Sequence, residues 1–386
     1  MNIGFDAKRA YHNETGLGHY SRTLIKSLAA FYPYNNYFLY NPKAGSAYQL
    51  STKNVFEIKP KTIFNKFFSA AWRINGVKKG LIQNKIDLYH GLSHEIPFGL
   101  QSTGIKSVVT IHDLIHRRHP EQYNAIDVKI YDRKFRYACN HADRVIAISQ
   151  QTKTDIINFY KIPAEKITVC YQSCDVIFSE TVNEAEKKRV RAIHGLPDRY
   201  FLYVGSIIER KNLLAICKAM HLAGDDMGIP LAVIGKGGKY KAVVKAYIKQ
   251  FGLEKKIIFL SEDNAAAKLN YNDFPAIYQS AVAMIYPSFF EGFGIPVLEA
   301  LWSRLPVITS NVSCLPEAGG NAAYYVNPNL PQEIADGMRK IYFDKAIAAD
   351  MIEKGWQHAH LFTQQKCAEA VMEVYKSLFK TASQID

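Results

Sequence analysis

The stretch Ala283-Met-Ile-Tyr-Pro-Ser-Phe-Phe-Glu-Gly-Phe-Gly-Ile-Pro-Val-Leu-Glu299 combines a strand, a glycine-rich turn and the start of a helix. The apolar run at its beginning has the length of a buried strand. Gly292 and Gly294 let the backbone turn sharply, and Pro296 is typical of the first positions of a helix. A strand that passes through a tight turn into a helix is the repeating unit of an α/β fold, so the stretch predicts that class.

The same alternation of strand and helix patterns recurs along both halves of the chain. The strand runs are apolar almost throughout, which is typical of parallel sheets covered by helices on both faces. We therefore predict two Rossmann-like, doubly wound parallel-sheet domains that face a central cleft at the carboxyl ends of their strands. The predicted strands are residues 2–6, 37–40, 55–58, 86–90, 107–112, 144–149 and 167–170, then 200–204, 231–234, 256–260, 283–286, 306–309 and 323–326.

The length of 386 residues fits two domains of roughly 180 residues better than one. The polar, charged stretch Glu180–Arg199, which ends in Gly195-Leu-Pro-Asp198, is the predicted linker. We place an N-terminal domain at residues 1–180 and a C-terminal domain at residues 181–364. A C-terminal helix of residues 365–386 can pack back on the first domain.

Composition bounds the class of protein. The chain is 48% hydrophobic and 22% charged, as globular proteins are, and no apolar run approaches the roughly 18 residues of a membrane span. Asp6, Lys8 and Arg9 interrupt the N-terminus before a signal-peptide core could form. The six cysteines are scattered without a Cys-x-x-Cys pair, so neither a disulfide framework nor a zinc site is indicated. We expect a cytoplasmic protein without a bound metal.

The positive charge is unevenly distributed. The net charge is +13, and residues 1–180 hold 24 Lys and Arg against 14 Asp and Glu, an excess of +10. The remaining residues have an excess of only +3. The first half should therefore meet an anionic partner, for which nucleic acid, a phospholipid surface and a pyrophosphate-carrying acceptor all qualify.

Two carboxylates flank the glycine turn of the stretch quoted first. The amino end of the following helix offers free N–H groups to an anion. Glu291 in the loop and Glu299 in about the first turn of the helix would repel a phosphate unless they have another purpose, such as accepting hydrogen bonds from sugar hydroxyls. Acidic residues that stabilise a helix N-terminus would explain Glu299 alone, but not the Glu-Gly-x-Gly loop.

A second loop carries adjacent cations. In Tyr203-Val-Gly-Ser-Ile-Ile-Glu-Arg-Lys-Asn212 a strand ends in Gly205 and a short loop leads to Arg210 and Lys211. A forked guanidinium beside a compact ammonium suits the several oxygens of a pyrophosphate. The alternative is an exposed basic pair that caps a loop.

A third glycine loop follows the first strand. Gly16 and Gly18 resemble part of a dinucleotide fingerprint, but Ser21 occupies the place of the third glycine and the loop from Asp6 is too long. A nicotinamide site is therefore disfavoured. A flexible glycine loop that lines the cleft is the remaining interpretation.

Together these segments resemble the retaining family 4 glycosyltransferases of the GT-B fold. The matching pieces occur in the family order over nearly the whole chain, and the last of them is most similar to bacterial mannosyltransferases that build surface polysaccharides. The pieces are the Gly16/Gly18 loop, Thr110-Ile-His-Asp-Leu114, Val145-Ile-Ala-Ile-Ser149, Gly205 with Arg210-Lys211, Glu291-x7-Glu299, and Ser310-Asn-Val-Ser-Cys-Leu-Pro-Glu-Ala-Gly-Gly-Asn-Ala-Ala323.

The resemblance implies a role for each matching residue. Arg210 and Lys211 would hold the donor pyrophosphate and stabilise the departing nucleoside diphosphate, Glu291 would contact hydroxyls of the transferred sugar, and Glu299 the ribose or nucleotide. His112 would line the cleft near the sugar or acceptor. No divalent metal would be needed, and Glu291 is not assigned as a covalent nucleophile. The other implied donor-binding positions are Gly16, Gly18, Gly205, Gly292, Phe293, Gly294 and Ile295.

The resemblance also implies a reaction. The expected activity is transfer of a hexose with retention of configuration, mannose from GDP-mannose, to a saccharide or lipid-linked saccharide acceptor. The nucleotide-sugar is a substrate, so no cofactor is expected, and nucleic acid is not an expected partner. The alternatives are a UDP-sugar donor, a nucleotide-sugar epimerase, and a non-catalytic basic protein that binds nucleic acid or membrane.

One segment departs from the family pattern. Relatives usually have Phe-Leu-Gly-Tyr-Val after the third strand of the second domain, whereas this chain has Phe259-Leu-Ser-Glu-Asp263. That loop should lie near the pocket for the base, so the departure leaves the base undetermined.

Two further patterns have a functional and a structural interpretation. His90-x3-His94 and His112-x3-His116 have a spacing that a metal would suit on a helix, but they straddle strand ends and loops, so ordinary histidines are favoured. Residues 58–86 contain seven basic and no acidic residues, with aromatic side chains at helical spacing. This basic aromatic segment predicts either peripheral contact with the inner face of a membrane or a surface helix packed on its own domain. Its members are Lys59, Lys61, Phe64, Lys66, Phe67, Phe68, Ala71, Trp72, Arg73, Lys78, Lys79 and Lys85.

Overall fold

The chain folds into two compact units, each built on a parallel β-sheet with helices on its faces. The computed structural model describes residues 1–43, 48–50, 52–60, 68–260 and 269–379. The N-terminal unit comprises Met1–Cys174 together with the C-terminal segment from Phe362, and the C-terminal unit comprises Asp175–Leu361. The chain therefore passes from one unit to the other at 174/175 and again at 361/362.

The described part of the N-terminal unit alternates strands and helices. Its strands are β1 (Asn2–Asp6), β2 (Asn36–Tyr40), β3 (Val55–Ile58), β4 (Leu88–Gly91), β5 (Lys106–Ile111), β6 (Arg144–Ala147) and β7 (Ile167–Val169). Its helices are α1 (Lys8–His12), α2 (Gly16–Phe31), α3 (Ser69–Ala71), a π-helical turn (Trp72–Gly76), α4 (Val77–Gln83), α5 (Ile115–Arg118), α6 (Ala125–His141) and α7 (Gln150–Tyr160).

The strand order in this unit is β3-β2-β1-β4-β5-β6-β7, and all neighbours are parallel. Ile3 of β1 lies opposite Tyr37 of β2 on one side and Leu88 of β4 on the other. The chain thus winds outward in both directions from β1, which makes the carboxyl ends of β1 and β4 the topological switch point of the sheet.

The C-terminal unit repeats this plan. Its strand order is β10-β9-β8-β11-β12-β13, again parallel, so its switch point lies between β8 and β11. Its strands are β8 (Phe201–Val204), β9 (Leu231–Ile234), β10 (Ile257–Phe259), β11 (Ala283–Tyr286), β12 (Val307–Ser310) and β13 (Tyr324–Val326). Its helices are α8 (Glu184–His194), α9 (Leu213–Ala223), α10 (Lys239–Gln250), α11 (Phe274–Ser280), α12 (Ile295–Trp302), α13 (Leu315–Gly319), α14 (Pro331–Phe343) and α15 (Lys345–Ala359).

The predicted fold class is confirmed. Each predicted strand coincides with an observed strand to within two residues at either end. The central strands are buried on both faces, as the near-continuous apolar runs indicated; all four residues of β8, β9 and β11 are buried, whereas the edge strands β3, β7 and β13 are partly exposed. Among the described residues, none of the helices combines the length and the hydrophobicity that a membrane span requires.

The last helix, α16 (Gln364–Ser377), belongs to the N-terminal unit although it follows the C-terminal one in sequence. Thr363 starts it by accepting a hydrogen bond from the N–H of Lys366 at 3.2 Å. Val371 and Met372 join the core formed by β1, β2 and α2. Tyr375 is fully buried there, and its hydroxyl lies 2.6 Å from Nδ1 of His90 in β4.

The predicted linker at Glu180–Arg199 is wrong. Most of this segment is helix α8, and the boundary between the units lies earlier, at 174/175. Asn183 caps the helix by accepting from the N–H of Glu186 at 2.9 Å, and Gly195 ends it in the left-handed conformation at φ 63°. His194 of α8 contacts Asp273 at 2.9 Å, so the helix is anchored within the C-terminal unit.

The predicted flexible glycine loop after β1 is also wrong. The segment contains helix α1, and Gly16 and Gly18 form the first turn of α2. A Cβ atom at Gly18 would lie 1.9 Å from the carbonyl oxygen of Asn13, whereas a Cβ atom at Gly16 would meet nothing within 4 Å. Arg22 holds the approach to α2 in place by donating to the carbonyls of Asn13 at 2.8 Å and Ala10 at 3.1 Å. Gly18 is thus required by close backbone packing.

This contrast predicts opposite effects of alanine at the two glycines. Gly18→Ala should lower the free energy of unfolding by about 1 to 3 kcal/mol, because α2 must move away from the Asn13 carbonyl. Gly16→Ala is the matched control and should leave it unchanged or raise it by up to about 1 kcal/mol. Urea unfolding followed by circular dichroism measures both, and equal stability of the two variants would contradict the close contact.

Candidate active site in the C-terminal unit

Three of the predicted site residues meet at the switch point of the C-terminal unit. Arg210 and Lys211 follow β8, and Glu291 follows β11. Nη1 of Arg210 lies 2.9 Å from Oε1 of Glu291, and Nζ of Lys211 lies 3.2 Å from the same oxygen. All three side chains are largely buried, with 10–13% of their surface exposed. The alternative of an exposed basic pair is therefore wrong.

Two hydroxyl groups complete the environment of this carboxylate. The hydroxyl of Tyr286 and Oγ of Ser288 each donate to Oε1 of Glu291 at 2.9 Å. Lys211 in turn donates to the hydroxyl of Tyr286, and its ammonium lies 4.9 Å from the centroid of the Tyr286 ring. Four donors thus converge on one carboxylate oxygen.

The ionisation of the cluster follows from these contacts. Burial alone would raise the pKa of Glu291, but the ion pairs with Lys211 and Arg210 and the hydrogen bonds from Ser288 and Tyr286 lower it to about 2. Burial, and secondarily the charge of Arg210, lowers the pKa of Lys211, which Glu291 opposes. Glu291 is therefore an anion at neutral pH, and the donors on Oε1 make it a weak nucleophile.

Backbone hydrogen bonds tie the two loops together. The carbonyl of Arg210 accepts from the N–H of Phe289 at 2.8 Å, and Oγ of Ser288 lies 3.0 Å from the same oxygen. Asn212, held in the left-handed conformation at φ 59°, donates to the carbonyls of Pro287 at 3.2 Å and Pro328 at 2.8 Å. The cations are consequently positioned by the loop that carries Glu291.

Glycine is required at two positions beside the cations. Gly205 has φ 152°, and a Cβ atom there would lie 3.1 Å from Cδ of Lys211, so a larger residue would crowd the lysine. A Cβ atom at Gly235 would lie 1.9 Å from the carbonyl oxygen of Gly205. The loops after β8 and β9 thus approach each other so closely that a residue with a Cβ atom at position 235 would not fit.

Helix α12 places the second carboxylate. Gly294 precedes the helix at φ 106°, and Glu299 lies beyond the first turn, so Glu299 does not stabilise the helix N-terminus as the alternative interpretation required. The hydroxyl of Tyr278 donates to Oε2 of Glu299 at 2.8 Å. Burial raises the pKa of Glu299 to about 7, while Tyr278 and Lys211 partly offset it.

The remaining predicted positions of this unit surround the same turn. Gly292 and Ile295 are half-buried, whereas the side chain of Phe293 is buried with only 2% exposed. In the segment that differs from the family pattern, Phe259 and Leu260 are buried, and Ser261, Glu262 and Asp263 lie outside the described residues.

No role was predicted from the sequence for Tyr286, Ser288 or Ser313. Ser313 has φ 61°, and its Oγ accepts from the N–H of Glu291 at 3.2 Å and donates to the Glu291 carbonyl at 2.9 Å. Tyr286 and Ser288 lie inside the quoted stretch, but a tyrosine at a strand end is ordinarily a core residue. The presence of polar side chains where β11 ends was the available signal.

His112, the predicted site residue of the N-terminal unit, follows β5. Its Nε2 lies 2.8 Å from the carbonyl of Leu92, and burial, partly opposed by this bond, lowers its pKa to about 4. The ring is therefore neutral, with Nε2 as the donor and Nδ1 left as an acceptor. Tyr20 packs edge-on against it at 4.6 Å.

The other histidines are not arranged as metal ligands. His90 contacts Thr110 at 2.8 Å as well as Tyr375, and burial lowers its pKa to about 3. His116 approaches the hydroxyl of Tyr160 at 3.2 Å, and burial lowers its pKa to about 4. Across the described residues no group of three or more metal-binding side chains is present.

The basic aromatic segment is only partly described, because Lys61, Phe64, Lys66 and Phe67 lie outside the described residues. Trp72 is buried and packs 6.3 Å from the Tyr40 ring, so this aromatic side chain belongs to the core. Phe68 and Ile82 are 55% and 57% exposed. The described part thus contains both buried and exposed apolar side chains.

Two family models match the chain, one for each half. The model "Glycosyltransferase Family 4" matches residues 16–176, and the model "Glycosyl transferases group 1" matches residues 184–358. The second match includes Gly205, Arg210, Lys211, Glu291 and Glu299.

The chain is also similar to curated proteins over most of its length. It is 25% identical to the O-antigen chain mannosyltransferase B of Escherichia coli, over 98% of this chain and 100% of that protein. It is 29% identical to the O-antigen chain mannosyltransferase RfbU of Salmonella typhimurium, over 61% of this chain and 59% of that protein.

Among solved structures, Anabaena Alr3699/HepE in complex with UDP and glucose superimposes with a TM-score of 0.71. The match covers 97% of this chain and 99% of that one at 17% sequence identity, so it bears on the fold alone.

The raised pKa of Glu299 predicts how stability changes with pH. The folded carboxyl titrates near 7 and an ordinary one near 4.5, so between these values the folded state binds more protons and the free energy of unfolding falls as pH rises. Glu299→Gln removes the charge, so the variant should match the wild type near pH 5 and exceed it by about 1 to 3 kcal/mol at pH 8.

Urea unfolding between pH 5 and 8 measures this difference. Tyr278→Phe is the matched control: it keeps the carboxyl but removes the hydrogen bond that stabilises its anion, so the fall in stability should persist and its midpoint should move to higher pH. A difference between Glu299→Gln and the wild type that does not change with pH would contradict the raised pKa.

Proposed function

Because this chain belongs to the GT-B glycosyltransferases of the family 4 type, we propose that it transfers mannose from GDP-mannose to a saccharide or lipid-linked saccharide acceptor in surface polysaccharide biosynthesis. The observation that carries the proposal is the convergence of Arg210, Lys211 and Glu291 at the switch point of the C-terminal unit. Ligands of doubly wound sheets bind at that position.

The charges of the cluster suit a nucleotide-sugar. Arg210 and Lys211 supply two cations and Glu291 one anion, so the cluster has one net positive charge when empty. The diphosphate gains a negative charge when the bond to the sugar breaks, and largely buried cations stabilise that charge more than water would. In this proposal Arg210 and Lys211 therefore stabilise the leaving group, and a metal ion is not required.

The carboxylates bind hydroxyl groups in this proposal. Glu291 is fixed as an anion by its four donors, so it accepts hydrogen bonds from hydroxyls of the transferred sugar without forming a covalent bond to it. Glu299 accepts from the ribose, which favours its ionised form. The transfer then proceeds with retention by front-face attack, and a phosphate oxygen of the leaving group takes the acceptor proton.

The N-terminal unit binds the acceptor in this proposal. Neutral His112 presents Nδ1 as an acceptor for a hydroxyl of the sugar or of the acceptor substrate. A Cβ atom at Gly16 would meet nothing within 4 Å, so a phosphate can approach the start of α2 there, whereas the N–H of Gly18 already donates to Oδ1 of Asn13 at 3.1 Å.

The choice of mannose rests on the relatives, which are named as mannosyltransferases. A UDP-sugar donor is the second candidate, since the similar HepE structure contains UDP and glucose. The pocket for the base would distinguish a GDP-sugar from a UDP-sugar. The segment expected to lie near it, residues 259–263, falls partly outside the described residues.

Release of nucleoside diphosphate from a panel of GDP- and UDP-sugars, with and without mixed saccharide acceptors, tests the proposal. We expect acceptor-stimulated release from GDP-mannose that is insensitive to EDTA. Lys211→Ala should lower the rate about 100-fold or more, because a cation that stabilises the leaving group is lost. Lys218→Ala on the exposed face of α9 is the control and should retain the wild-type rate.

Each other outcome has a definite meaning. Release that persists in Lys211→Ala would overturn the role of the cluster. Conversion of the donor without any acceptor would indicate an epimerase instead. Release from a UDP-sugar but not from GDP-mannose would show that the donor is the UDP-sugar. Nuclear magnetic resonance of the product reads its anomeric configuration, and inversion would exclude the front-face mechanism.

We further propose that the basic aromatic segment makes peripheral contact with an anionic membrane. Exposed Ile82 lies between exposed Lys79 and Lys85 in sequence, and Phe68 of the same segment is also exposed. Co-sedimentation with vesicles of phosphatidylcholine and phosphatidylglycerol at physiological salt should be observed, and the double variant Lys79→Gln/Ile82→Ser should weaken it by about fivefold or more. Lys26→Gln on α2 is the control and should not weaken vesicle binding. A wild-type protein that does not bind the vesicles would contradict the proposal.

A further inference from the structure

The switch point of the N-terminal unit also carries a cluster of charged residues. Asp6 ends β1, Lys8 and Arg9 follow it in α1, and Glu95 comes four residues after β4. Arg73 reaches the cluster from the π-helical turn. Because the carboxyl ends of parallel strands meet at one edge of the sheet, this cluster occupies the place where doubly wound folds bind ligands.

Both carboxylates of the cluster already have cationic partners. Arg73 forms an ion pair with Asp6, in which Nε donates to Oδ1 at 3.3 Å, and it lies 3.6 Å from Glu95. Lys134 of α6 lies 3.3 Å from the other oxygen of Glu95. Asp6 Oδ1 also accepts from the backbone N–H of Lys8 at 3.1 Å.

Lys8 and Arg9 are left as the excess charge. Within the described ranges neither side chain has a carboxylate oxygen within 4.0 Å, although both are half-buried. Burial lowers the pKa of Lys8, and the charges of Arg73 and Arg9 lower it further, while the more weakly acting charges of Asp6 and Glu95 oppose this shift. Adjacent, partly desolvated cations that form no ion pair of their own are unfavourable in the empty protein, and a bound anion would reduce that cost.

The histidines nearby add no positive charge at neutral pH. Burial lowers the pKa of His94 and of His112, and Arg9 contributes to lowering both. His94 is held at φ 64°, and its buried Nδ1 has no hydrogen-bond partner in the part of the chain that the structure describes. A strained backbone beside an unsatisfied polar atom is typical of functional sites.

We propose that Lys8 and Arg9 form a subsite for a phosphate or diphosphate group in the N-terminal unit. A guanidinium beside an ammonium suits the several oxygens of such a group. The proposal rests on the proposed function for the identity of its ligand, which is either the phosphate of a phosphorylated acceptor or the diphosphate of the donor. The net charge of +10 in residues 1–180 favours the same class of ligand.

The first test is binding and needs no glycosyl transfer. Inorganic pyrophosphate is titrated into the full chain in a Lys211→Gln background, which weakens the cation pair of the C-terminal unit, and heat is measured by calorimetry. Binding should be retained, and Lys8→Gln or Arg9→Gln should weaken it about tenfold. Lys26→Gln is the control and should bind as the background does. Equal affinity in all variants would overturn the subsite whether or not the protein is a mannosyltransferase.

The second test identifies the source of the phosphate. Acceptor KM is compared for a saccharyl phosphate and for the methyl glycoside of the same saccharide, together with donor KM and acceptor-independent donor hydrolysis. If Arg9→Gln raises KM about tenfold for the phosphorylated acceptor alone, the subsite binds the acceptor. If donor KM and hydrolysis change instead, the subsite binds the donor diphosphate.

Two controls keep these tests decisive. Arg9→Lys retains a cation without the guanidinium fork, so its affinity should lie between those of the wild type and Arg9→Gln. Circular dichroism and thermal unfolding check that each variant folds. A loss of affinity that tracks a loss of folded protein, with Arg9→Lys no better than Arg9→Gln, would show that the pair is structural and overturn the proposal.

Discussion

The ionised carboxylate of Glu291 is the constraint on which the C-terminal site depends. Burying a carboxylate without partners would cost several kcal/mol, and the neighbouring cations alone would be unfavourable for the same reason. Each therefore stabilises the other. Because Arg210 and Lys211 belong to the loop after β8 and Glu291 to the loop after β11, the ion pairs also fix these two loops relative to each other. The ion pairs of this one carboxylate thus set both the charge and the geometry of the switch point.

Backbone geometry then limits which residues can surround the cluster. The positive φ angles of Gly205 and Gly294, and the left-handed Asn212, turn the chain where strands pass into helices. Because Gly235 has no Cβ atom, the carbonyl of Gly205 can pack directly against its backbone. These residues contribute no chemistry of their own, but without them the polar side chains could not reach one another. Gly18, one of the two glycines that resemble a binding fingerprint, is likewise required by close backbone packing, whereas Gly16 is not.

The strands and the central site residues were predictable from the sequence because both follow from short-range rules. Apolar runs of strand length identified the strands, and the ends of parallel strands necessarily share one edge, which brought Arg210, Lys211 and Glu291 together. Tyr286 and Ser288 were missed because their hydrogen bonds depend on side-chain directions that no local pattern encodes. The linker was misassigned for a different reason. Its polarity suggested exposure, although Asn183 three residues before Glu186 and the terminal Gly195 are ordinary helix-capping signals.

The two units treat their cations differently, and the difference has a physical rationale within the proposed reaction. A nucleoside diphosphate product is more anionic than the donor, so two uncompensated buried cations would bind the product more tightly than the substrate and slow its release. Glu291 reduces the net charge of the C-terminal cluster to one, which moderates that affinity while leaving both cations beside the leaving group. Lys8 and Arg9 form no ion pair among the described residues, because the nearby carboxylates of Asp6 and Glu95 are paired with Arg73 and Lys134. The phosphate of a phosphorylated acceptor stays attached to the acceptor, and its charge does not change during the transfer. A subsite for such a phosphate therefore needs no carboxylate to moderate its affinity for the product.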